Sequence, residues 1–236
     1  MRILITDLTR MAQGYICVAG IDVETGRRVR PVIGERLPAN LVSTRGGPFD
    51  VRRVVDLGEC RPEGVPPEVE DVRFDPATAK HVQTITGPAF FSRLQTVAMD
   101  GLAAFGPSLV PMGNNGRATP ERVGLRSLVI TWAKVPFRVY VSSRGTLRVR
   151  LADDLDLSVT DIRLYQDDFQ TPDPVKVRWL NGQLARGGEV YLSYGLSRPF
   201  RRSADDRPHH WLQLNNIHLE VAPDWQLRWP RERYRP

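Results

Sequence analysis

The stretch Glu189–Glu220, EVYLSYGLSRPFRRSADDRPHHWLQLNNIHLE, contains two strong strand patterns separated by an arginine-rich loop. In the first pattern, Val190, Leu192 and Tyr194 alternate with residues of the opposite face. A period of two is typical of a strand with one buried side. The two patterns predict a β-sheet, and the other elements of the chain can be placed around it.

The second strand changes its apolar parity halfway along. Positions 212 and 214 are leucine, whereas the next apolar positions, 217 and 219, are odd. Because side chains alternate between faces, a β-bulge at Asn215-Asn216 would keep all four in one core. Trp211 and Gln213 then point to the opposite face, which we expect to be an exposed surface for stacking and charge. The neighbouring loop carries Arg198, Arg201, Arg202 and Arg207.

The length of 236 residues allows one large domain or two small ones. With 41% apolar and 25% charged residues, the composition is that of a soluble globular protein. The N-terminal sequence MRILITDLTR is not followed by a signal-peptide cleavage site, and no apolar stretch approaches the roughly 20 residues that span a bilayer. These features predict a cytoplasmic protein without a membrane partner.

Arginine supplies nearly all of the positive charge in a chain of formal net charge +6, because Lys80, Lys134 and Lys176 are the only lysines. Arginine binds phosphate in a bidentate way and stacks on bases, so the excess is compatible with nucleic acid. A bias in genome composition would produce the same excess. The charge therefore suggests a class of partner without establishing it.

The first half of the chain reads as strands followed by one helix. Strands are predicted at Ile3–Leu8, Tyr15–Asp22, Arg27–Val32 and Phe49–Leu57, the first three forming a β-meander. Arg28 and Arg30 flank Val29, so they share one face, either as surface arginines or as half of a binding groove. Residues 59–70 are proline-rich and predict no regular structure. Helical spacing of apolar residues then predicts a helix from about Pro88 to Phe105.

The second half repeats this order. Strands are predicted at Leu125–Lys134, Phe137–Ser142, Leu147–Leu151 and Leu157–Tyr165. The alternation in the third of these sends Arg148 and Arg150 to the outer face. Asp173 as N-cap and Pro174 at the first position then open a helix that ends at about Ala185.

The order of strands, one helix and more strands resembles the OB-fold, a five-stranded Greek-key barrel with an inserted helix, used twice. We therefore expect a mainly β protein of two OB-like Greek-key barrels, each with one inserted helix. The N-terminal barrel would span residues 1–115. The C-terminal barrel would span residues 116–236 and end in a tail rich in arginine and tryptophan.

Five segments together resemble a known family. They are ILITDLTRM (3–11), ICVAGIDVETGRRVRPV (16–32), LSVTDIRL (157–164), YLSYGLSRPF (191–200) and HHWLQLNNIH (209–218). This set is similar to the bacterial dual OB-containing domain family, and the resemblance covers nearly the whole chain. It implies two OB-like barrels and, by analogy with other OB proteins, nucleic-acid binding. It brings no catalytic residue with it.

Histidine and cysteine spacing does not favour a metal site. His209 and His210 are adjacent, so they point to opposite faces of a strand, and no His-x-His or Cys-x-x-Cys pair exists. Asp205-Asp206 and His218 lie nearby in sequence without supplying that spacing. The two cysteines, 17 and 60, lack metal-binding neighbours, which favours reduced thiols. We expect neither a metal nor a cofactor.

A run of carboxylates leaves a metal-dependent nuclease open as an alternative. Two converging members could hold Mg²⁺: Asp153, Asp154, Asp156, Asp161, Asp167 and Asp168. Asp7 and Asp161 each follow a threonine, and we expect them instead to bond backbone amides or to pair with nearby Arg10 and Arg163. The phosphate-binding loop, the nucleophile elbow and the dinucleotide fingerprint are also missing from the sequence.

Arginines interleaved with aromatic residues favour a non-catalytic module that binds single-stranded DNA or RNA, with bases on rings and phosphates in a basic groove. The candidate binding residues are Arg10, Arg28, Arg30, Arg148, Arg150, Arg198, Arg201, Arg202, Trp211 and Gln213. The tail adds Trp225, Arg228, Trp229, Arg231, Arg233, Tyr234 and Arg235. Trp225 and Trp229 could instead pack the tail onto a barrel, and Phe200 could plug a core. A protein-interaction module of a larger bacterial system is the alternative to nucleic-acid binding.

Overall fold

The structure is a computed structural model that describes residues 1–113, 115–133, 137–152, 155–203 and 207–228. These residues form three β-sheets and two α-helices, which confirms the predicted mainly β fold. Within the described ranges no ring of strands closes into a barrel. In the same ranges no helix is long and apolar enough to cross a membrane.

The first half of the chain forms a seven-stranded sheet. Its strands are β1 (Arg2–Arg10), β2 (Ile16–Asp22), β3 (Arg28–Val32), β4 (Arg53–Asp56), β5 (Cys60–Pro62), β6 (Asp71–Phe74) and β7 (Lys80–Thr84). Their order is β5-β6-β3-β2-β1-β4-β7, which confirms the predicted meander of the first three strands. Strand β6 pairs with β3 in parallel, and the other pairs are antiparallel.

The second half forms two antiparallel sheets. The strands are β8 (Val110–Met112), β9 (Gly116–Pro120), β10 (Leu128–Ala133), β11 (Arg138–Val141), β12 (Leu147–Ala152), β13 (Leu155–Ser158), β14 (Val190–Leu196) and β15 (His209–Leu219). One sheet has the order β10-β14-β15-β9-β8, and the other has the order β11-β12-β13. The two strong strand patterns therefore lie side by side at the centre of the larger sheet.

Both predicted helices are present, but the first is shorter than expected. Helix α2 spans Pro174–Ala185 as predicted, with the Asp173 carboxylate accepting the first backbone N–H groups. Helix α1 spans Gly87–Val97, so the predicted extension to residue 105 is wrong. The helix cannot continue because the Met99 N–H donates to a carbonyl of β10, and the glycine at position 101 has a φ of 64°.

Short or exposed strands are the elements that the sequence did not predict. Strand β5 lies in the proline-rich stretch, β6 depends on its parallel partner β3, and all five residues of β7 are exposed, so none shows a clear alternation. The strand predicted at Leu157–Tyr165 stops at Ser158. A 3₁₀ turn follows there, because the Asp161 carboxylate accepts the Arg163 N–H. Of Phe49–Leu57, only β4 is strand.

The apolar side chains form two buried clusters. The first is built mainly from strands of the first half and helix α1, and the second mainly from strands of the second half and helix α2. Ile130, Ile162, Phe169 and Tyr191 cross over and pack in the first cluster. Strand β8 precedes residue 115 yet belongs to a sheet of the second half. The division at residue 115 stays a prediction.

The predicted bulge in β15 is confirmed. Ser193 of β14 pairs with Asn216, whereas the next residue, Tyr194, pairs with Leu214, so Asn215 is the extra residue. The apolar residues at positions 212, 214, 217 and 219 consequently all lie in the second cluster. The parity change in the sequence thus locates the bulge to the residue.

Candidate nucleic-acid interface

The face of β15 opposite its core side chains packs against the first half of the chain. Asn216 accepts a hydrogen bond from the Leu8 N–H of β1 at 2.9 Å. His218 is buried on the same face, with its ring centroid 5.3 Å from that of Phe90 in α1. This part of the non-core face is therefore covered by β1 and α1.

Arg28 is held at this contact between the halves. Its guanidinium pairs with the Asp7 carboxylate and donates to the Thr6 hydroxyl, and the Ser193 hydroxyl also donates to Asp7. Burial raises the pKa of Asp7, but the Arg28 charge and the hydrogen bonds outweigh it, so this pKa lies below its usual value. The expected pairing of Asp7 with Arg10 is wrong. Arg28 therefore pairs with a buried carboxylate and is not a surface arginine available to a ligand.

Asp161 does pair with Arg163 as predicted. The Arg163 Nη2 lies 2.6 Å from the Asp161 carboxylate, which also accepts the backbone N–H of Ile217. The same guanidinium lies 3.8 Å from the ring centroid of Trp225, whose ring contacts Trp179 of α2 at 5.1 Å. This cluster packs the start of the tail onto the second half, so Trp225 is structural, as the alternative interpretation proposed.

A groove of about 1220 Å³ runs between the two halves and is called the central groove here. It is lined by the β1–β2 connection, by residues 30–37 and 63–71, by the start of the arginine-rich loop and by part of β15. Four of the candidate binding residues meet in it, Arg10, Arg30, Arg198 and Gln213. The topology thus brings together residues that are far apart in the sequence.

Ion pairs between two arginines and two carboxylates form the floor of the central groove. Arg30 contacts Asp71 at 2.5 Å and Glu68 at 3.1 Å, and Arg198 contacts each of the same carboxylates at 2.7 Å. Burial lowers the pKa of Arg30, but the Asp71 and Glu68 carboxylates and the Cys17 side chain together outweigh this effect, so the pKa lies above its usual value and the guanidinium stays charged. Arg30 is therefore a buried residue of the groove floor, and the charges of both arginines are already compensated.

Arg10 connects the two halves at the same groove. Its Nη2 donates to the Gln170 side chain at 2.7 Å, and its Nε donates to the Phe169 carbonyl at 3.1 Å. The guanidinium also lies 5.2 Å from the centroid of the Tyr165 ring. These contacts hold its side chain in one position, with part of it exposed to the groove.

The outer face of the sheet β11-β12-β13 carries arginines on neighbouring strands and is called the basic face here. Arg138 lies directly opposite Arg150, and Tyr140 lies opposite Arg148. The intervening valines of both strands are buried in the second cluster. The side chain of Arg150 is 63% exposed, which confirms that the alternation sends this arginine outward.

A depression of about 280 Å³ at the edge of the basic face collects further arginines. The arginines that line it are Arg117, Arg144, Arg148 and Arg202. Asp156 is the one acidic residue among the described residues of this lining, and it contacts Arg148 at 2.8 Å. Burial raises the pKa of Asp156, but the Tyr140 hydrogen bond and the Arg148 charge outweigh it and lower the pKa. Among the described residues of this lining, one carboxylate therefore faces several guanidiniums.

Trp211 is buried, with 6% of its surface exposed, so the predicted outward-facing ring is wrong. The ring does point away from the core leucines, as strand alternation predicted, but the arginine-rich loop folds back over it. The Arg202 guanidinium lies 3.3 Å from the ring centroid, and the ring of Phe200 lies 6.0 Å away. Phe200 itself is 45% exposed and does not plug a core. Arg201 is exposed on the same loop.

The sequence-based candidates did not include Arg117, Arg138, Tyr140, Arg144 and Asn215, which belong to these surfaces. Arg138 and Tyr140 flank a valine in a predicted strand, which was a usable signal. The tail from residue 229, the acidic pair 153–154 and the pair 205–206 lie outside the described residues. Within the described ranges, no three His, Cys, Asp or Glu side chains form a group that could hold a metal ion.

Comparison of the chain with protein-family models, with curated proteins and with solved structures finds no match in any of the three.

Proposed function

We propose that this protein binds single-stranded nucleic acid through the basic face and does not act as a catalyst. The observation that carries the proposal is that Arg138 and exposed Arg150 lie opposite each other on neighbouring strands, next to a depression lined by further arginines. Two like charges placed directly opposite each other destabilise a sheet, so a binding role accounts for them better than stability does. Guanidinium groups bind phosphate in a bidentate way.

Aromatic groups at the margin of the basic face favour a single strand over a duplex. Tyr140 lies among the arginines of the face, and the Arg202–Trp211 stack continues it toward exposed Phe200. Unpaired bases can stack on such planar groups while the backbone follows the arginines, whereas the bases of a duplex are already stacked on each other.

We also propose that the sheets correspond to two OB-like barrels. Support comes from the two apolar clusters, from one α-helix in each half, and from a three-stranded antiparallel meander in each half, β1-β2-β3 and β11-β12-β13. OB-folds bind oligonucleotides on the face of such a meander. The basic face is the outer surface of the second meander.

A protein-interaction module is the second candidate, and strand β7 favours it. All five of its residues are exposed, and it forms an edge of the seven-stranded sheet. An exposed edge strand offers unpaired backbone groups to which a partner strand can add. This function predicts no binding of nucleic acid.

Salt-dependent binding of a labelled 15-residue single strand, as DNA and as RNA, tests the proposal. If arginines neutralise phosphates, affinity falls as salt rises, with a slope of about −0.7 per phosphate contact in a logarithmic plot. Fluorescence anisotropy at several salt concentrations measures the slope. Absence of binding at low salt would contradict the proposal and favour the protein-interaction function.

A further inference from the structure

We infer that the central groove receives an unpaired nucleobase, whose polar edge is contacted by Gln213 and Asn215. This inference rests on the proposed function and assigns a second role within it, because the phosphates lie on the basic face and a base lies in the groove. It is supported by the charge balance of the groove, its side-chain amides, its aromatic lining and its continuity with the basic face.

Charge in the central groove is balanced, so the groove suits a neutral ligand. The arginines that line it are Arg10, Arg30, Arg36 and Arg198, and the carboxylates are Glu35, Glu63, Glu68 and Asp71. The floor ion pairs already satisfy the two guanidiniums nearest to those buried carboxylates. A phosphate would gain little there and would meet the carboxylates. A planar polar group without charge, such as a base, does not need an uncompensated guanidinium and is not repelled by the carboxylates.

Two side-chain amides with open hydrogen-bonding groups line the groove. Gln213 is half-buried, and its amide has no hydrogen bond to any residue in the described part of the chain. Asn215 is 8% exposed, and its amide oxygen accepts from the Thr160 hydroxyl at 3.5 Å, while its amide nitrogen has no partner among the described residues. Each amide has a hydrogen-bond donor next to an acceptor, and base edges carry the complementary pattern of an acceptor next to a donor.

Strand alternation explains why both amides reach the same groove. Gln213 and Asn215 are two positions apart on β15, so both lie on the side away from Leu212 and Leu214, which are in the core. The bulge at Asn215 then places Asn216 on this side as well, where it contacts β1. The polar side chains of β15 therefore continue from the groove to the contact between the halves.

Aromatic rings complete the lining and connect the groove to the basic face. Phe200 lines the groove with 45% of its surface exposed, and Tyr15 lies on the lining with the Arg36 guanidinium 5.7 Å from its ring centroid. Phe200 also contacts Trp211, on which Arg202 of the basic-face depression stacks. A strand bound on the basic face can thus direct one base past Phe200 into the groove.

The volume is compatible with this ligand. Sites for small molecules usually enclose about 300–1,000 Å³. The central groove, at about 1220 Å³, exceeds that range and can hold a nucleoside together with part of its neighbours.

Binding of a 15-residue single strand and of an abasic strand of the same length separates the two surfaces. For Gln213→Leu we expect the affinity for the base-containing strand to fall by about fivefold or more, because one set of base contacts is lost. The affinity for the abasic strand and the salt slope stay unchanged. Arg150→Ala is the matched control, because it removes a phosphate contact and weakens binding of both strands alike.

Equal affinities of wild type and Gln213→Leu for the base-containing strand would overturn the inference, as would equal losses for both strands. Phe200→Ala provides a second variant at an exposed position, in case Gln213→Leu does not fold. If wild type binds neither strand, the proposed function is wrong. Saturation-transfer NMR with the four free nucleosides then tests separately whether the central groove binds a base. Transfer that is weaker in Gln213→Leu supports the inference, and its absence in wild type overturns it.

Discussion

Ser193 and Asp7 are 186 residues apart in the sequence, yet the Ser193 hydroxyl donates a hydrogen bond to the Asp7 carboxylate in the interior of the protein. Arg28 pairs with the same carboxylate, so three strands meet at one buried charge pair. Such a pair adds little stability when intact, but it is costly to break, because the remaining charge loses its partner. The contact therefore restricts how the two halves can be joined.

Asp7→Ala should destabilise the protein by about 3–5 kcal/mol, because it leaves the Arg28 guanidinium nearly buried without a counter-charge. Urea denaturation followed by circular dichroism measures the free energy of unfolding. Glu59→Ala is the control, since this carboxylate is 82% exposed and pairs with the exposed Arg61, so its removal should cost less than about 1 kcal/mol. A similar small loss for Asp7→Ala would contradict the role assigned to the pair.

His218 should make the protein less stable in mild acid. Its ring is buried, neither ring nitrogen has a hydrogen-bond partner among the described residues, and burial together with the Arg163 charge lowers the pKa of His218 to about 3. The unfolded chain takes up the proton near pH 6.5, whereas the folded chain resists it. The neutral ring's contribution is therefore complete above pH 6.5 and is lost as pH falls toward 3.

The measurement is the free energy of unfolding at pH 7 and at pH 4.5. His218 should account for a loss of about 2–3 kcal/mol between these values, because each unit of pKa difference corresponds to about 1.4 kcal/mol. His218→Phe keeps a ring against Phe90 and removes the titration, so the difference between wild type and variant isolates this residue from others that titrate. The same pH dependence in both proteins would show that the ring is accessible to protons.

Trp211→Ala should cost about 3–5 kcal/mol of stability, because the ring is buried beneath the arginine-rich loop. Trp132→Ala is the matched control, since that ring is 52% exposed and its loss should cost about 1 kcal/mol or less. Chemical denaturation of both variants gives the comparison. A stable Trp211→Ala variant with weakened nucleic-acid binding would instead restore the exposed stacking position that the sequence had predicted.

Features determined by neighbouring residues were predictable, and features determined by distant partners were not. The Asp173–Pro174 start of α2 and the bulge at Asn215 follow from residues a few positions apart. The parallel pairing of β3 with β6 and the Arg30–Asp71 ion pair join residues that are 41 positions apart. The local periodicity of apolar residues does not predict contacts between segments so far apart. The position of the loop that covers Trp211 likewise depends on tertiary packing. Strand alternation therefore predicted the face on which the Trp211 ring lies, but not that the ring is buried.

The same distinction separates the candidate residues. Arg148 and Arg150 could be placed on an outer face because strand alternation is a local property. The alternation of Arg28 and Arg30 was equally clear, but carboxylates from distant segments occupy both arginines in the interior. An arginine count therefore overstates the charge available to a ligand.

The double variant Arg138→Ala, Arg150→Ala should weaken binding of single-stranded nucleic acid without unfolding the protein. These arginines are opposite each other on β11 and β12, so their removal relieves repulsion. It also removes the exposed contact of Arg150 with Asp156 at 3.5 Å, which contributes little, so we expect stability to be nearly unchanged. If each contacts one phosphate, the salt slope should become shallower by about 1.4 in total. Anisotropy titrations at several salt concentrations measure it. Arg61→Ala removes another exposed arginine, from the edge strand β5 outside both surfaces, and should leave the slope unchanged. An equal change of the salt slope in both proteins would show that the basic face acts only through net charge, and it would favour a protein partner.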